Sequence, residues 1–128
     1  MSAPRWLNAI LREFGEGVDI KNFGLNAQDA ASMVFETGVS LRFEYAFESL
    51  VIAIQIPVDD DPGLMKRLLI YAQPERSRSF RLRVAYLEKV SSAIMAVMIS
   101  ERDASLASVN AIFTELWLMA EEFRRRAA

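Results

Sequence analysis

Residues 39–56 read VSLRFEYAFESLVIAIQI, and two strands are written into them by different rules. In the first, Val39, Leu41, Phe43 and Tyr45 alternate with Ser40, Arg42 and Glu44. Successive side chains of a strand point to opposite faces, so 39–45 has one apolar side and one wet side. In the second, Leu50, Ile52, Ile54 and Ile56 alternate with Val51 and Ala53, which are apolar too, and Pro57 ends the run. A strand apolar on both sides must be covered on both sides.

The flanking sequence extends the pattern. Residues 32–36 predict a short strand that ends in a Thr37-Gly38 turn. Residues 80–87 predict a fourth, with Phe80, Leu82, Val84 and Tyr86 on one face and Arg81 and Arg83 on the other. Residues 93–100 predict a fifth, apolar on both faces: Ile94, Ala96 and Met98 against Met95, Val97 and Ile99.

Helical spacing appears in three places. Leu7, Ile10, Leu11 and Phe14, with Trp6 beside them, form a first helix with Ser2 as cap, Pro4 in its opening turn, and Gly15 and Gly17 as its stop. A loop over 15–28 follows, anchored near Phe23 and Leu25. The run Asp59-Asp60-Asp61-Pro62-Gly63 suits the start of a second helix, where carboxylates complement the helix dipole. Leu64, Met65, Leu68, Leu69 and Ala72 make its apolar face, and Pro74 closes it. A last helix from about Asp103 carries Leu106, Val109, Ile112, Phe113, Leu116, Met119 and Phe123, and finishes on Arg124, Arg125 and Arg126. Strands joined by tight turns pair antiparallel. The expectation is therefore one α+β domain over 1–128, an antiparallel five-stranded sheet with three helices in the order α-β-β-β-α-β-β-α.

Composition bounds the chemistry. The 128 residues are 52% hydrophobic and 25% charged, enough to bury a core and too apolar for disorder. There is no cysteine and no histidine. Disulfides, thiolate nucleophiles and the commonest metal ligand and proton shuttle are thereby excluded, which argues against an enzyme and against any cofactor. A net charge of −2 offers no long-range pull on phosphate backbones, so nucleic acid is not an expected partner. The longest apolar run, 50–58, is too short to span a bilayer, and the first residues lack the pattern of a signal peptide. A cytoplasmic protein without membrane insertion is expected.

Smaller constellations have plain readings. The three aspartates lack the alternating ligands of a calcium loop. Glu44 and Glu48 have nothing to mark them as an acid–base pair. Arg76, Arg78, Arg81 and Arg83 form a basic stripe without interleaved aromatics, which suits the border of a protein interface better than a nucleic-acid site. Leu118 lies almost opposite Leu116 on its helix, beside Trp117, as an isolated leucine or part of a contact patch.

The surplus of apolar strand surface carries the functional reading. Three helices rarely cover both faces of five strands, so a second subunit, a bound partner or a fold-back of the last helix must cover the rest. One strand's extra face, on the order of 150 Å² at about 25 cal/mol per Å², is worth roughly 4 kcal/mol, and exposed apolar patches beyond about a few hundred Å² mark interaction surfaces. Met95 and Met98 either fill core gaps or supply the adaptable contacts that thioethers make. A protein that binds other protein chains is the expectation. A small regulatory or sensory domain that binds a ligand or a regulator protein is the alternative.

The stretch from Phe80-Arg-Leu-Arg-Val-Ala-Tyr-Leu-Glu through Ser100-Glu-Arg-Asp-Ala-Ser-Leu into Ala111-Ile-Phe-Thr-Glu-Leu, with the opening helix 6–14, resembles the class I chaperones of bacterial type III secretion. The likeness covers nearly the whole chain and lies in element order, size and acidity. It implies a dimer, either homodimer or heterodimer with a related chaperone, joined through 64–72 and 80–87. On this chain those segments carry Leu64, Leu68, Leu69, Phe80, Leu82, Val84 and Tyr86. It further implies that the N-terminal part of a secreted effector or secretion-gate protein is held in extended form, without nucleotide hydrolysis. Grooves formed by the first helix (Trp6, Leu7, Ile10, Leu11) and the sheet (Met95, Val97) would hold it.

Overall fold

Period-two sequence becomes a sheet when neighbouring strands bury the same face. The computed structural model, which describes residues 3–59, 61–73 and 80–127, shows five strands doing so. The elements are α1 (Arg5–Gly17), β1 (Ala30–Val34), β2 (Ser40–Ala46), β3 (Ser49–Pro57), α2 (Leu64–Tyr71), β4 (Leu82–Leu87), β5 (Ser92–Ser100) and α3 (Leu106–Ala127), in the expected order. All strand pairs are antiparallel, and the spatial order is β1-β2-β3-β5-β4. The last strand therefore inserts between β3 and β4, leaving β1 and β4 as the two edges.

Register decides which side chains share a face. Phe43 faces Ile52, Ile52 faces Val97, and Ile54 faces Met95, which Val84 also faces from β4. This face is the core: Leu41, Phe43, Leu50, Ile52, Ile54, Ile56, Ala93, Met95 and Val97 are buried. The helices lie over it. Phe14 of α1 meets Phe43 and Phe113 edge-on at ring centroid distances of 5.4 and 5.3 Å, and Tyr71 of α2 meets Phe123 of α3 at 6.1 Å. The last helix does not fold back over the other face.

Boundaries differ from expectation for local reasons. The first helix does not stop at Gly15 but runs on to Gly17, with Pro4 at its N-cap and not in its first turn. The first strand starts at Ala30, because Asn26 brackets that residue: its N–H donates to the Ala30 carbonyl, and its Oδ1 accepts from the Ala30 N–H. Residues 35–38 go into the turn, where Gly38 has φ +87°, a left-handed conformation that glycine adopts without strain. The last helix begins at Leu106 because Ser105 and Ser108 cap each other's N–H groups at 3.0 and 2.9 Å; residues 101–103 form a separate 3-10 turn. The expected cap Ser2 and the residues Asp60, Pro74, Arg76 and Arg78 lie outside the described residues.

Gly15 sits within the helix because the following loop packs onto it. A Cβ there would lie 2.4 Å from the Phe23 Cβ and 2.9 Å from the Ile20 carbonyl oxygen. Asn8 holds the same loop, accepting from the Leu25 N–H at 2.9 Å. Gly15→Ala is therefore expected to lower stability by about 2 kcal/mol, as overpacking does, despite alanine's better helix propensity. Urea titration of both variants checks this, and Gly17→Ala, with open space around it, should be neutral or slightly stabilising.

Candidate docking surfaces

The face of the sheet opposite the helices is built in rows across the strands. Register aligns Glu44, Val51 and Met98 in one row, and Arg42, Ala53, Ala96 and Arg83 in the next. Ser40, Gln55, Ile94 and Ala85 make the third. Strands lie about 4.8 Å apart and alternate side chains about 6.8 Å apart along a strand. The middle row is thus a floor of alanines, with Val51 and Met98 along one side and Gln55 and Ile94 along the other. Val51, Ala53, Ile94 and Ala96 are half-buried only by their neighbours, and Met98 is 59% exposed. No helix among the described residues lies over them. Arg42 turns away to pair with Glu44, and Arg83 stands exposed at the other end of the floor. The surplus apolar surface of β3 and β5 is therefore real in a lone protomer. Met95 fills the core, whereas Met98 belongs to this surface.

The second surface is the β4 edge with the outer side of α2. Leu64, Leu68 and Tyr71 point inward and are buried; Met65 and Leu69, one turn apart, are 43% and 51% exposed. The helix therefore does not place Leu64, Met65, Leu68, Leu69 and Ala72 on one buried stripe. Its inward side ends on Tyr71, whose hydroxyl donates to Glu122 of α3 at 3.0 Å. Of the residues expected at a dimer contact, Leu64, Leu68 and Leu82 are sealed in the protomer core and have almost no surface to give. Leu69, Phe80, Val84 and Tyr86 are exposed or half-exposed along this edge. Among the described residues, β4 has no strand partner besides β5, so its outer backbone groups are free to pair.

On α1, Trp6 is 45% exposed and Ile10 half-buried, whereas Leu7 and Leu11 have no exposed surface. Met95 and Val97 are likewise enclosed, on the helix-covered face. The candidates on α1 and β5 thus divide: Trp6 and Ile10 border the solvent, while Leu7, Leu11, Met95 and Val97 support the elements from beneath. The half-buried Trp117 packs edge-on against Phe35 at 4.8 Å, away from any patch with the exposed Leu118.

The polar constellations are structural. Asp61 accepts from the Gly63 N–H at 2.9 Å and from both terminal nitrogens of Arg67 at 3.2 and 2.9 Å. The Arg67 hydrogen bonds, followed by that of Gly63, hold its carboxyl below the usual range. This ties down the start of α2. Among the described residues no cluster of carboxylates is arranged to hold a metal ion, and no helix is long and apolar enough to cross a membrane. A cavity of about 20 Å³ between α2 and α3, lined by Arg67, Ile70, Tyr71, Phe123 and Arg126, has room for a single water.

At the end of the β2–β3 hairpin, the Tyr45 hydroxyl donates to the Glu101 carboxylate. That bond, with burial and then the Glu101, Glu48 and Asp29 charges, pushes the phenol up to about 12. A raised acid pKa means the folded state prefers the neutral phenol. The stabilisation is complete below pH 10 and is lost as pH rises through about 12. Ultraviolet titration is expected to show Tyr45 ionising near 12, and Glu101→Gln to return that share of the curve toward 10. An unchanged curve in that variant would remove Glu101 as the cause.

The alanine row and the exposed pair on α2 were not singled out by the sequence. The signal for the row was the small residue in the middle of each doubly apolar strand, Ala53 and Ala96, which register sets side by side.

No family model and no curated protein matches the sequence. Solved structures do. A chain of the ExsC–ExsE complex superposes with a TM-score of 0.82 over 99% of this chain and 97% of its own, at 18% identity. A chain of the HopA1–SchA chaperone–effector complex gives 0.70 over 96% and 98%, at 13% identity. A chain of the Yersinia pestis type III secretion chaperone SycH in complex with a fragment of YscM2 gives 0.70 over 91% and 98%, at 12% identity. Over nearly its full length, this chain has the α+β fold of the class I type III secretion chaperones.

Proposed function

We propose that this chain is a non-catalytic, ATP-independent chaperone for a type III secreted protein, an effector or a secretion-gate protein. It binds the N-terminal region of that protein in extended form and keeps it competent for export. The observation that carries the reading is the uncovered apolar sheet face around Ala53, Ala96, Val51, Ile94 and Met98, on a fold whose solved neighbours include a chaperone–effector complex. Holding a chain unfolded requires no chemical step, only tighter binding of the extended state than of the folded one. A free edge strand adds main-chain hydrogen bonds to an extended segment, and apolar rows add side-chain contacts. The absence of cysteine and histidine from the sequence fits a protein that works by affinity alone. It acts in the cytoplasm as a homodimer, or as a heterodimer with a related chaperone, through Met65, Leu69, Phe80, Val84 and Tyr86.

Co-expression with the products of adjacent reading frames, followed by pull-down, tests the function. The expected result is a stable complex with one secreted protein, whose N-terminal region becomes protected from protease without gaining a globular fold. Ala96→Trp, which fills the alanine row from the solvent side, should weaken that complex at least tenfold and leave the melting temperature within about 3 °C. Undiminished capture by this variant would move the site elsewhere. Failure to capture any secreted product, with stabilisation by a small metabolite instead, would favour a ligand-binding regulatory domain.

A further inference from the structure

The β2–β3 hairpin turns through Phe47 and Glu48, with φ of 52° and 58°. Two-residue hairpin turns with both φ positive favour Asn-Gly or Asp-Gly, because a Cβ crowds the backbone in that region. Here a bulky aromatic occupies the first position and is 99% exposed, so its ring packs against nothing among the described residues. Isolated surface apolar residues are common and carry no meaning by themselves. A ring that adds turn strain and full hydration without any fold contact is different, because folding offers no return for it.

The tip is also braced. Ala46 pairs with Ser49 and Ser49 with Ser100; the Glu101 N–H donates to the Glu48 carbonyl at 2.9 Å; and the Tyr45 hydroxyl holds the Glu101 carboxylate. The turn is thereby tied to the end of β5, and the ring projects from a rigid base. The residues tied to the turn are mostly acidic: Glu48 lies in it, Glu101 is hydrogen-bonded to it, and the Asp29 carbonyl accepts from the Tyr45 N–H at 2.9 Å, with Asp103 and Arg102 in the adjoining turn. The tip lies at the end of the β2–β3 pair, whereas β4 is the far edge strand. It stands just beyond the Val51–Met98 row and at the opposite side of the sheet from the α2–β4 surface.

We propose that Phe47 is a preformed anchor for a third protein, one that presents an apolar socket ringed by lysine or arginine, and that this contact is separate from cargo binding and from dimerisation. A rigid aromatic knob loses little conformational freedom on docking, and an acidic collar selects a basic rim and steers its approach.

The test replaces Phe47 with the photo-crosslinker p-benzoylphenylalanine in the full chain, in the cells it comes from, with Leu118, 61% exposed on α3, as the control position. Irradiation is expected to give an adduct from position 47 and none from 118. Sequencing of that adduct should place the crosslink on a protein other than the captured cargo, at apolar residues flanked by lysine or arginine. With that protein purified, Phe47→Ala should weaken binding at least thirtyfold, and raising salt from 0.1 to 0.5 M should weaken it further. The double variant Phe47→Asn, Glu48→Gly should lose the contact while its melting temperature rises, because it relieves the turn. An adduct to cargo, to a second copy of this chain or to lipid overturns the proposal. So does no adduct above the Leu118 control, or a Phe47→Ala affinity within twofold of the parent.

Discussion

Leu7→Asp is expected to leave no folded protein at 25 °C, whereas Trp6→Asp, one residue away, is expected to fold normally and lose cargo. Leu7 is completely enclosed. Truncating such a leucine costs about 2–5 kcal/mol through lost contacts and the cavity left behind. An unpaired carboxyl in the same space adds several kcal/mol more, whether it stays ionised or takes up a proton. Domains of this size have about 5–15 kcal/mol of total stability. The sum is comparable to the whole, so circular dichroism should show an unfolded chain or the protein should go to inclusion bodies. Trp6 keeps 45% of its surface in water and borders the outer side of α1. Its replacement should change stability by about 1 kcal/mol or less. With the outer side of α1 proposed as a second cargo contact beside the open sheet face, that same change should lower cargo affinity at least tenfold. A folded Leu7→Asp protein would contradict the packing of α1 on Phe43 and Phe113 described above.

The second large effect is on assembly. Met65→Asp with Leu69→Asp is expected to convert a dimer, twice the 14.5 kDa chain mass, into a monomer by light scattering. The two residues lie a turn apart on the outer side of α2, and neither is needed for the core. Carboxylates at this spacing cost the isolated helix only about 0.2–0.5 kcal/mol, so the monomer should remain folded. A two-fold contact repeats each substitution, placing four carboxylates where four apolar side chains would meet. That is worth at least a hundredfold in the dissociation constant, or roughly 3 kcal/mol. Leu82→Asp cannot serve the same purpose, since Leu82 is 5% exposed and its loss would unfold the sheet edge. Val34→Asp is the control: Val34 is 73% exposed on β1, at the opposite edge, and should leave the dimer intact. A dimer that survives the α2 pair but dissociates with Val34→Asp would place the contact on β1.

Much of the architecture was legible because it is local. Alternation along 39–45 and 50–56 specifies strands wherever they sit, and the three-and-four spacing of Leu7, Leu11 and Phe14 specifies a helix whatever it packs against. What was misread depended on distant residues. The first helix extends past Gly15 because Phe23 and Ile20 close on a residue without a Cβ. The inward side of α2 is Leu64, Leu68 and Tyr71 because Phe123 and Glu122 of α3 wait there. Phe47 escaped notice because Ala46-Phe47-Glu48-Ser49 contains no glycine, proline, asparagine or aspartate, though the two strand patterns leave only this place for a turn.

The identity and order of the elements, and the apolar character of both sides of β3 and β5, are readable from the residues alone. Those are periodicities of a single segment, set by the pleat and by 3.6 residues per turn. Long-range packing set the rest: β5 slots between β3 and β4, Met95 goes inside and Met98 outside, and Ala53 and Ala96 meet to form a floor. A period-two pattern says that two faces differ, or that both are apolar, but contains nothing about which of them the helices will choose. That choice is made by contacts between residues far apart in the chain.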